Sequence, residues 1–131
     1  MTTKLKTAAA EKILIIEDEG EMCLLLNILL NDTHVELEHV QSLLDATDYL
    51  DQNHPQLILL DNKLPDGYGI DFITYLRQRY PAIKIIMITG FDSSAKDVAM
   101  ENGADAFLEK PFTRQQLISQ INSLLPELAL Q

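Results

Sequence analysis

The sequence contains no tryptophan, a single cysteine and only 6% aromatic residues. One cysteine excludes a disulfide framework or a cysteine-based metal site within the chain. Because aromatic rings are scarce while hydrophobic residues make up 47% of the chain, the core is expected to be aliphatic, built from the many leucines and isoleucines. This hydrophobic share also argues against disorder of the whole chain.

Basic residues are also few, since 10 Lys and Arg stand against 20 Asp and Glu and the formal net charge is -10. Binding of nucleic acid through its phosphates requires clustered positive charge, so we expect no nucleic-acid partner. No apolar run approaches the roughly 18 to 20 residues of a membrane span, and the opening MTTKLKTAAAEK lacks the apolar core of a signal peptide. We therefore expect a cytoplasmic location without membrane contact.

Five apolar runs alternate with five amphipathic segments along the chain. The runs predict strands at 12–18, 34–41, 56–61, 83–90 and 105–110. Helical periodicity predicts helices at 21–30, 42–53, 69–80, 92–103 and 113–125. Strands this apolar are typical of a parallel sheet with helices on both faces. The pattern therefore predicts an α/β fold, a doubly wound (βα)5 sandwich.

We predict a single domain over residues 12–126, with a flexible arm at 1–11 and a short tail at 127–131. The length suits one ordinary domain, and no linker-like segment interrupts it.

Two of the predicted helices differ in the strength of their apolar stripes. The first has a stripe of large residues, namely Met22, Leu25, Leu26 and Leu29. The fourth has only Ala95, Val98 and Ala99. We therefore expect the fourth helix to be the least firmly held.

Polar side chains end four of the five predicted strands. Glu17 and Asp18 follow the first strand, Asp61 the third, Thr89 the fourth and Lys110 the fifth. In an open parallel sheet these carboxyl ends form the ligand crevice. Three converging carboxylates repel one another, and Mg²⁺ would relieve this repulsion through oxygen ligands. With a lysine and a hydroxyl added, the set matches phosphoryl transfer with Asp61 as the nucleophile.

Each of these residues alone has a simpler interpretation. Glu17 and Asp18 could serve the dipole of the first helix, and Asp61 could be a solvated turn acid. Thr89 could be an ordinary strand-end hydroxyl, and Lys110 a surface charge. It is the whole set, at the ends of four strands, that favours a site.

Four motifs together resemble the receiver domain of two-component response regulators: ILIIEDE, LILLDNKLPDGYGID, IIMITGF and AFLEKPF. The resemblance covers Lys12 to about Leu125 and implies a flavodoxin-like fold with strand order 2-1-3-4-5. It further implies a signalling switch rather than an enzyme, with Mg-dependent self-phosphorylation and autodephosphorylation.

The resemblance implies roles for individual residues. Asp61 would be the phosphoacceptor, with Thr89 and Lys110 contacting the phosphoryl group. Mg²⁺, or Mn²⁺ in its place, would be held by Asp18, Asp61, the Lys63 backbone carbonyl and, through water, Glu17. The Lys110 to Pro111 bond would be cis. Thr89 and Phe107 would form the switch that changes the face of the fourth helix, fifth strand and fifth helix. Lys63 and Phe91 would tune the lifetime of the phosphorylated state by hindering the hydrolytic water.

The implied partners are a sensor histidine kinase or a histidine phosphotransfer protein upstream. Downstream, the resemblance implies a partner protein or a covalently linked output domain, and it allows a phosphorylation-dependent dimer. Two alternatives stay open. The chain could be a receiver-like interaction module that is never phosphorylated. It could also be an aspartate-nucleophile phosphatase, although those enzymes usually carry a second Asp where Lys63 stands.

Overall fold

The computed structural model describes residues 11–31, 33–90 and 93–131. One sheet contains the strands β1 Lys12–Ile16, β2 Glu36–Val40, β3 Leu57–Asp61, β4 Lys84–Thr89 and β5 Ala106–Glu109. The helices are α1 Gly20–Leu29, α2 Leu43–Leu50, α3 Gly69–Arg79, α4 Ser93–Asn102 and α5 Arg114–Leu124, with a 3-10 turn at Pro126–Leu128. The predicted alternation is confirmed. None of the helices in the described ranges is long and apolar enough to cross a membrane.

The sheet is parallel throughout, and its strands lie in the order β2-β1-β3-β4-β5. The predicted fold class is thus confirmed. The sequence pattern does not predict a short hairpin between β3 and α3, in which Lys63–Leu64 pairs antiparallel with Gly67–Tyr68. The hairpin lies at the carboxyl end of β3, where a ligand crevice is expected.

The core consists of two apolar clusters, one on each face of the sheet. Helices α1 and α5 cover one cluster, and α2, α3 and α4 cover the other. The central strand β3 is buried along its length and contributes alternate residues to each cluster, Leu57 and Leu59 to one and Ile58 and Leu60 to the other. Asp61 therefore continues a strand that is packed on both sides.

Two predicted core positions are wrong. Leu25 is 37% exposed and Val98 is 42% exposed. The buried residues of this stripe are Leu26 in α1 and Leu30 directly after it, one turn apart, and Leu25 falls outside the stripe. In α4 the buried pair is Ala95 and Ala99, also one turn apart. With Val98 facing outward, α4 buries even less apolar surface than predicted.

The chain continues to pack after α5. Leu128 and Leu130, in the predicted tail, are buried in the cluster beneath α1 and α5. The Asn122 side chain holds this segment, because it donates to the carbonyl of Leu130 and accepts from its N–H, both at 2.9 Å. Residues 1–10 of the predicted arm lie outside the described residues. The domain limits stay a prediction.

Candidate functional site

The three predicted acids come together at the carboxyl ends of β1 and β3. Ile16 pairs with Leu60, so that the residues that follow, Glu17 and Asp61, emerge side by side. One carboxylate oxygen from each of Glu17, Asp18 and Asp61 lies within 4.8 Å of the others. Glu17 and Asp61 are buried, whereas Asp18 is exposed. The cluster therefore presents one solvent-facing and two enclosed carboxylates.

Both carboxylate oxygens of Asp61 accept a hydrogen bond. Lys110 Nζ donates to Oδ1 at 2.9 Å, and the Lys63 backbone N–H donates to Oδ2 at 3.0 Å. Lys110 follows β5, and its own backbone N–H donates to the carbonyl of Thr89 at 2.8 Å. The Lys110–Pro111 peptide bond is cis, as the resemblance implied. The orientation of the Asp61 carboxylate is therefore held from two sides.

Lys110 is the cation of the site. Its Nζ also lies 3.7 Å from Glu17 Oε1 and 3.8 Å from Glu19 Oε1. Burial alone would lower the pKa of Lys110, but the hydrogen bond that Lys110 donates to Asp61 and the charges of Asp61, Glu17 and Glu19 raise it above its ordinary value. Lys110 therefore stays charged across the physiological pH range.

Glu17 is a buried carboxyl group with a raised pKa. Burial raises its pKa to about 7. The hydrogen bond from the Glu19 N–H, 3.1 Å from Glu17 Oε2, opposes the rise, the charge of Asp61 adds to it, and Lys110 opposes it again. At neutral pH, Glu17 is consequently close to its midpoint between the charged and neutral forms.

A cleft of about 480 Å³ opens over these groups. Among its lining residues are Asp18, Asp61, Lys63, Thr89 and Lys110. Thr89 ends β4 and is 8% exposed. Gly90 also lines the cleft, and a Cβ added there would meet nothing within 4 Å. The cleft thus brings Asp18, Asp61, Thr89 and Lys110 to one place, whereas Glu17 is not among its lining residues.

The remaining predicted residues are the switch residue Phe107 and the tuning residues Lys63 and Phe91. Phe107 is partly buried on β5 against the cluster beneath α2, α3 and α4. It also lines a groove of about 690 Å³, which includes residues of β5 and α5 and shares Lys110 with the cleft. Lys63 is exposed and is one of the residues that line the cleft. Phe91 lies outside the described residues.

Sequence reasoning missed three polar residues around the site. Glu19 lies near Lys110, and the run of acids EDE could have indicated it. Asn62 accepts a hydrogen bond from Ile70 N–H at 3.1 Å. Asp66 accepts a hydrogen bond from the backbone N–H of the first residue of α2, which lies 23 positions earlier in the chain. No local sequence pattern predicts a contact over that separation.

Gly69 is required by close packing. A Cβ at this position would lie 2.3 Å from the Asp61 carbonyl oxygen and 3.0 Å from Leu60 Cγ. The start of α3 therefore lies directly against the end of β3, and only a residue without a side chain allows that approach.

Comparison with known proteins gives a family and several relatives. Residues 13–122 match the response regulator receiver domain family. The response regulator protein PilR of Pseudomonas aeruginosa is 34% identical over 102 residues, which cover 77% of this chain and 23% of PilR. The phosphate regulon transcriptional regulatory protein PhoB of Escherichia coli K12 is 30% identical over 119 residues, covering 88% of this chain and 52% of PhoB.

Solved structures agree with the family match. A CheY-like response regulator receiver domain protein from Methanospirillum hungatei JF-1 has a TM-score of 0.84 at 26% identity, covering 92% of this chain and 98% of that chain. The chain spans about a quarter of PilR and about half of PhoB.

Proposed function

Because the chain belongs to the response regulator receiver domain family of two-component signalling, we propose that Asp61 accepts a phosphoryl group from a phosphohistidine donor. One observation carries this proposal: Asp61 is a buried carboxylate whose two oxygens are held by Lys110 and the Lys63 N–H at the floor of an open cleft. A carboxylate oriented in this way is suited to in-line attack on phosphorus.

In the proposed transfer, an Asp61 oxygen forms a bond to phosphorus as the P–N bond of the donor breaks. The electron pair of that bond stays on the imidazole nitrogen. The product is an aspartyl phosphate, with the donor histidine released. Lys110 balances negative charge on the transferred group, and Thr89 donates its hydroxyl hydrogen to a phosphoryl oxygen.

The donor set around Asp61 fits a divalent metal ion. Three carboxylates within 4.8 Å of one another are hard oxygen donors, and two of them are shielded from water. Asp18, Asp61 and the Lys63 carbonyl would hold Mg²⁺ directly and Glu17 would hold it through water, with Mn²⁺ as a substitute. When bound, the ion would offset the charge of the carboxylates and the phosphoryl oxygens.

We propose that the signal leaves through the α4-β5-α5 face. Thr89 ends the strand that leads to α4, and Phe107 lies on the neighbouring β5. Because α4 is anchored in the core mainly by Ala95 and Ala99, a displacement of α4 costs less packing energy than that of a helix with large core residues. Movement of Thr89 toward the phosphoryl group would draw Phe107 inward and shift α4.

The partners are also proposals, since the chain spans only part of its curated relatives. Upstream we propose a sensor histidine kinase or a histidine phosphotransfer protein. Downstream we propose a partner protein or a covalently linked output domain, with phosphorylation-dependent dimerisation as one mode of output. No direct nucleic-acid contact by this domain is proposed, given its formal net charge of -10.

Incubation with acetyl phosphate and Mg²⁺, followed by intact mass measurement, tests the phosphoacceptor proposal. The native chain should gain one phosphoryl group, and Asp61→Asn should gain none. Absence of the gain in the native chain, while a control receiver domain is modified, would favour a passive interaction module. Sustained release of phosphate from a small phosphate ester would instead favour a phosphatase.

Hydrogen exchange tests the proposed output face. Addition of Mg²⁺ and beryllofluoride, a phosphoryl mimic, should change amide protection over 93–103 and over β5. A change confined to residues 61–70, with α4 unaffected, would show that the signal leaves elsewhere.

A further inference from the structure

Between Asp61 and α3 the chain forms a loop, residues 62–68, that contacts the N-termini of two helices. Asp66 accepts hydrogen bonds from the first two backbone N–H groups of α2, those of Leu43 and Leu44, both at 2.9 Å. These bonds, Leu43 first, lower the pKa of Asp66 below its ordinary value. The loop thus supplies an anionic cap to a helix that precedes it in the chain by more than 20 residues.

The same helix carries a second cap of local origin. Ser42 Oγ accepts from the N–H of Asp45 at 3.0 Å, which satisfies the third free N–H of α2. Two different residues therefore share the capping of one helix, and only Asp66 belongs to the loop. Gly67 follows it with φ of 153°, and its Cβ position would lie 2.9 Å from Leu43 Cδ1, so the loop packs closely against α2.

At the other end of the loop, Asn62 caps α3. Its side-chain oxygen accepts from Ile70 N–H at 3.1 Å, and its backbone carbonyl accepts from Gly69 N–H at 2.7 Å. The residue that directly precedes α3, Tyr68, makes no side-chain cap hydrogen bond. The cap of this helix therefore comes from the residue next to Asp61.

Lys63 lies between these two anchors. Its N–H binds Asp61 Oδ2 at 3.0 Å, and it pairs with Tyr68 in the hairpin. We propose that Asn62 and Asp66 are positioning residues: by capping α3 and α2 they hold the Lys63 backbone in the place from which it orients Asp61 and presents its carbonyl to the cleft. This inference rests on the proposed function, because the groups it positions are those of the phosphoacceptor site.

Asp66 allows a positioning effect on the site to be distinguished from direct contact with a bound ligand. Asn62 lines the cleft, whereas Asp66 is exposed and is not one of the residues that line it. An effect of Asp66 on the site must therefore pass through the loop. Outer residues that orient metal ligands commonly contribute tenfold or more to metal affinity, which sets the expected size of the effect.

The test compares Asp66→Ala and Asn62→Ala with two matched controls. Ser42→Ala removes a cap from the same helix α2 without touching the loop. Thr113→Ala removes the cap of α5, whose capping box with Gln116 is complete. For all four variants we would measure urea unfolding, amide exchange over 61–70 without metal, and the Kd for Mg²⁺ alone by calorimetry.

All four variants should lose stability, as expected for a lost cap. Only the two loop variants should exchange faster over 61–70, and only they should bind Mg²⁺ more weakly, by about tenfold. Equal Mg²⁺ affinity and equal exchange in Asp66→Ala and Ser42→Ala would overturn the proposal, leaving Asp66 a helix cap only. If Asp66→Ala does not unfold cooperatively, Asp66→Asn, which keeps one acceptor oxygen, should give the same pattern more weakly.

The results that would reject the proposed function differ from those that would reject the positioning role of Asn62 and Asp66. If the native chain bound no Mg²⁺ and gained no phosphoryl group, the phosphoacceptor assignment would fail, whereas the exchange measurement without metal would still decide whether Asn62 and Asp66 hold the loop.

Discussion

Replacement of Glu17 by glutamine should stabilise the metal-free protein at neutral and alkaline pH. Glu17 is 2% exposed, and its pKa rises from 4.5 to about 7 on folding. A carboxyl group whose pKa is higher in the folded state favours folding while it is protonated. That contribution is complete below pH 4.5, decreases as the pH rises, and is lost once the pH passes about 7. Glutamine cannot ionise and is not subject to this loss.

The size of the effect follows from the pKa difference. A rise from 4.5 to about 7 corresponds to roughly 3 kcal/mol of unfolding free energy, an order-of-magnitude figure for one buried carboxyl group. Glutamine keeps the size of the side chain and a carbonyl oxygen that can accept the Glu19 N–H. The variant should therefore differ from the native chain by less than about 1 kcal/mol at pH 5 and exceed it by about 1 to 3 kcal/mol at pH 8.

The assay is urea unfolding of both chains between pH 5 and 8 in the presence of a chelator. Glu19→Gln is the matched control. It removes the same charge two residues further along the chain, but from a side chain that is 69% exposed. The stability of Glu19→Gln relative to the native chain should rise with pH far less than that of Glu17→Gln, because the Glu19 charge is only the smallest contribution to the raised pKa of Glu17. Two results would refute the assignment of a raised pKa to Glu17. One is a stability difference between Glu17→Gln and the native chain that does not change with pH, and the other is a native chain that is more stable than Glu17→Gln at pH 8.

Addition of Mg²⁺ should reduce the difference in stability by which Glu17→Gln exceeds the native chain at pH 8. A ligand that binds only the folded state stabilises it by mass action. The native chain should gain more stability from Mg²⁺ at pH 8 than Glu17→Gln gains. Equal gains would mean that Glu17 takes no part in metal binding.

Three further outcomes are expected. Gly69→Ala should lower the free energy of unfolding in urea by about 1 to 3 kcal/mol, because the added Cβ would lie 2.3 Å from the Asp61 carbonyl oxygen. Gly20→Ala is the control, since its Cβ would meet nothing within 4 Å, and its unfolding free energy should hardly change. Thr89→Ala should still gain a phosphoryl group from acetyl phosphate, but phosphorylation should no longer change its amide exchange over 93–103. If phosphorylation changes the exchange of Thr89→Ala as much as that of the native chain, Thr89 is not part of the switch. The double variant Lys63→Asn, Phe91→Glu should lose phosphate faster than the native chain, measured by the decay of the phosphorylated mass, and an equal decay would remove the tuning hypothesis.

Local sequence pattern was sufficient for the architecture. Apolar runs alternating with amphipathic segments predicted the parallel sheet, since strands buried on both faces must be apolar throughout. Parallel strands end at the same edge of a sheet, so the residues at the carboxyl ends of β1, β3, β4 and β5 must converge there. The sequence alone therefore groups Glu17, Asp61, Thr89 and Lys110.

Fine detail within the helices was less accessible. Leu25 and Val98 were assigned to core stripes and are exposed. A helical stripe is about two residues wide, and the sequence does not indicate by how much the helix is rotated on the sheet. That rotation is set by the neighbouring side chains, which bury Ala95 and Ala99 rather than Val98.

The sequence by itself determined the fold class and which residues end the strands, because both depend on spacing along the chain. Only the tertiary structure decided that Asp66 caps α2, that Asn62 caps α3 and that Lys110 binds an Asp61 oxygen. It also decided that the pKa of Glu17 lies near 7 rather than 4.5. Hydrogen bonds of this kind and the burial of a charge depend on distances between residues remote in sequence, and those distances exist only once the helices and strands have packed.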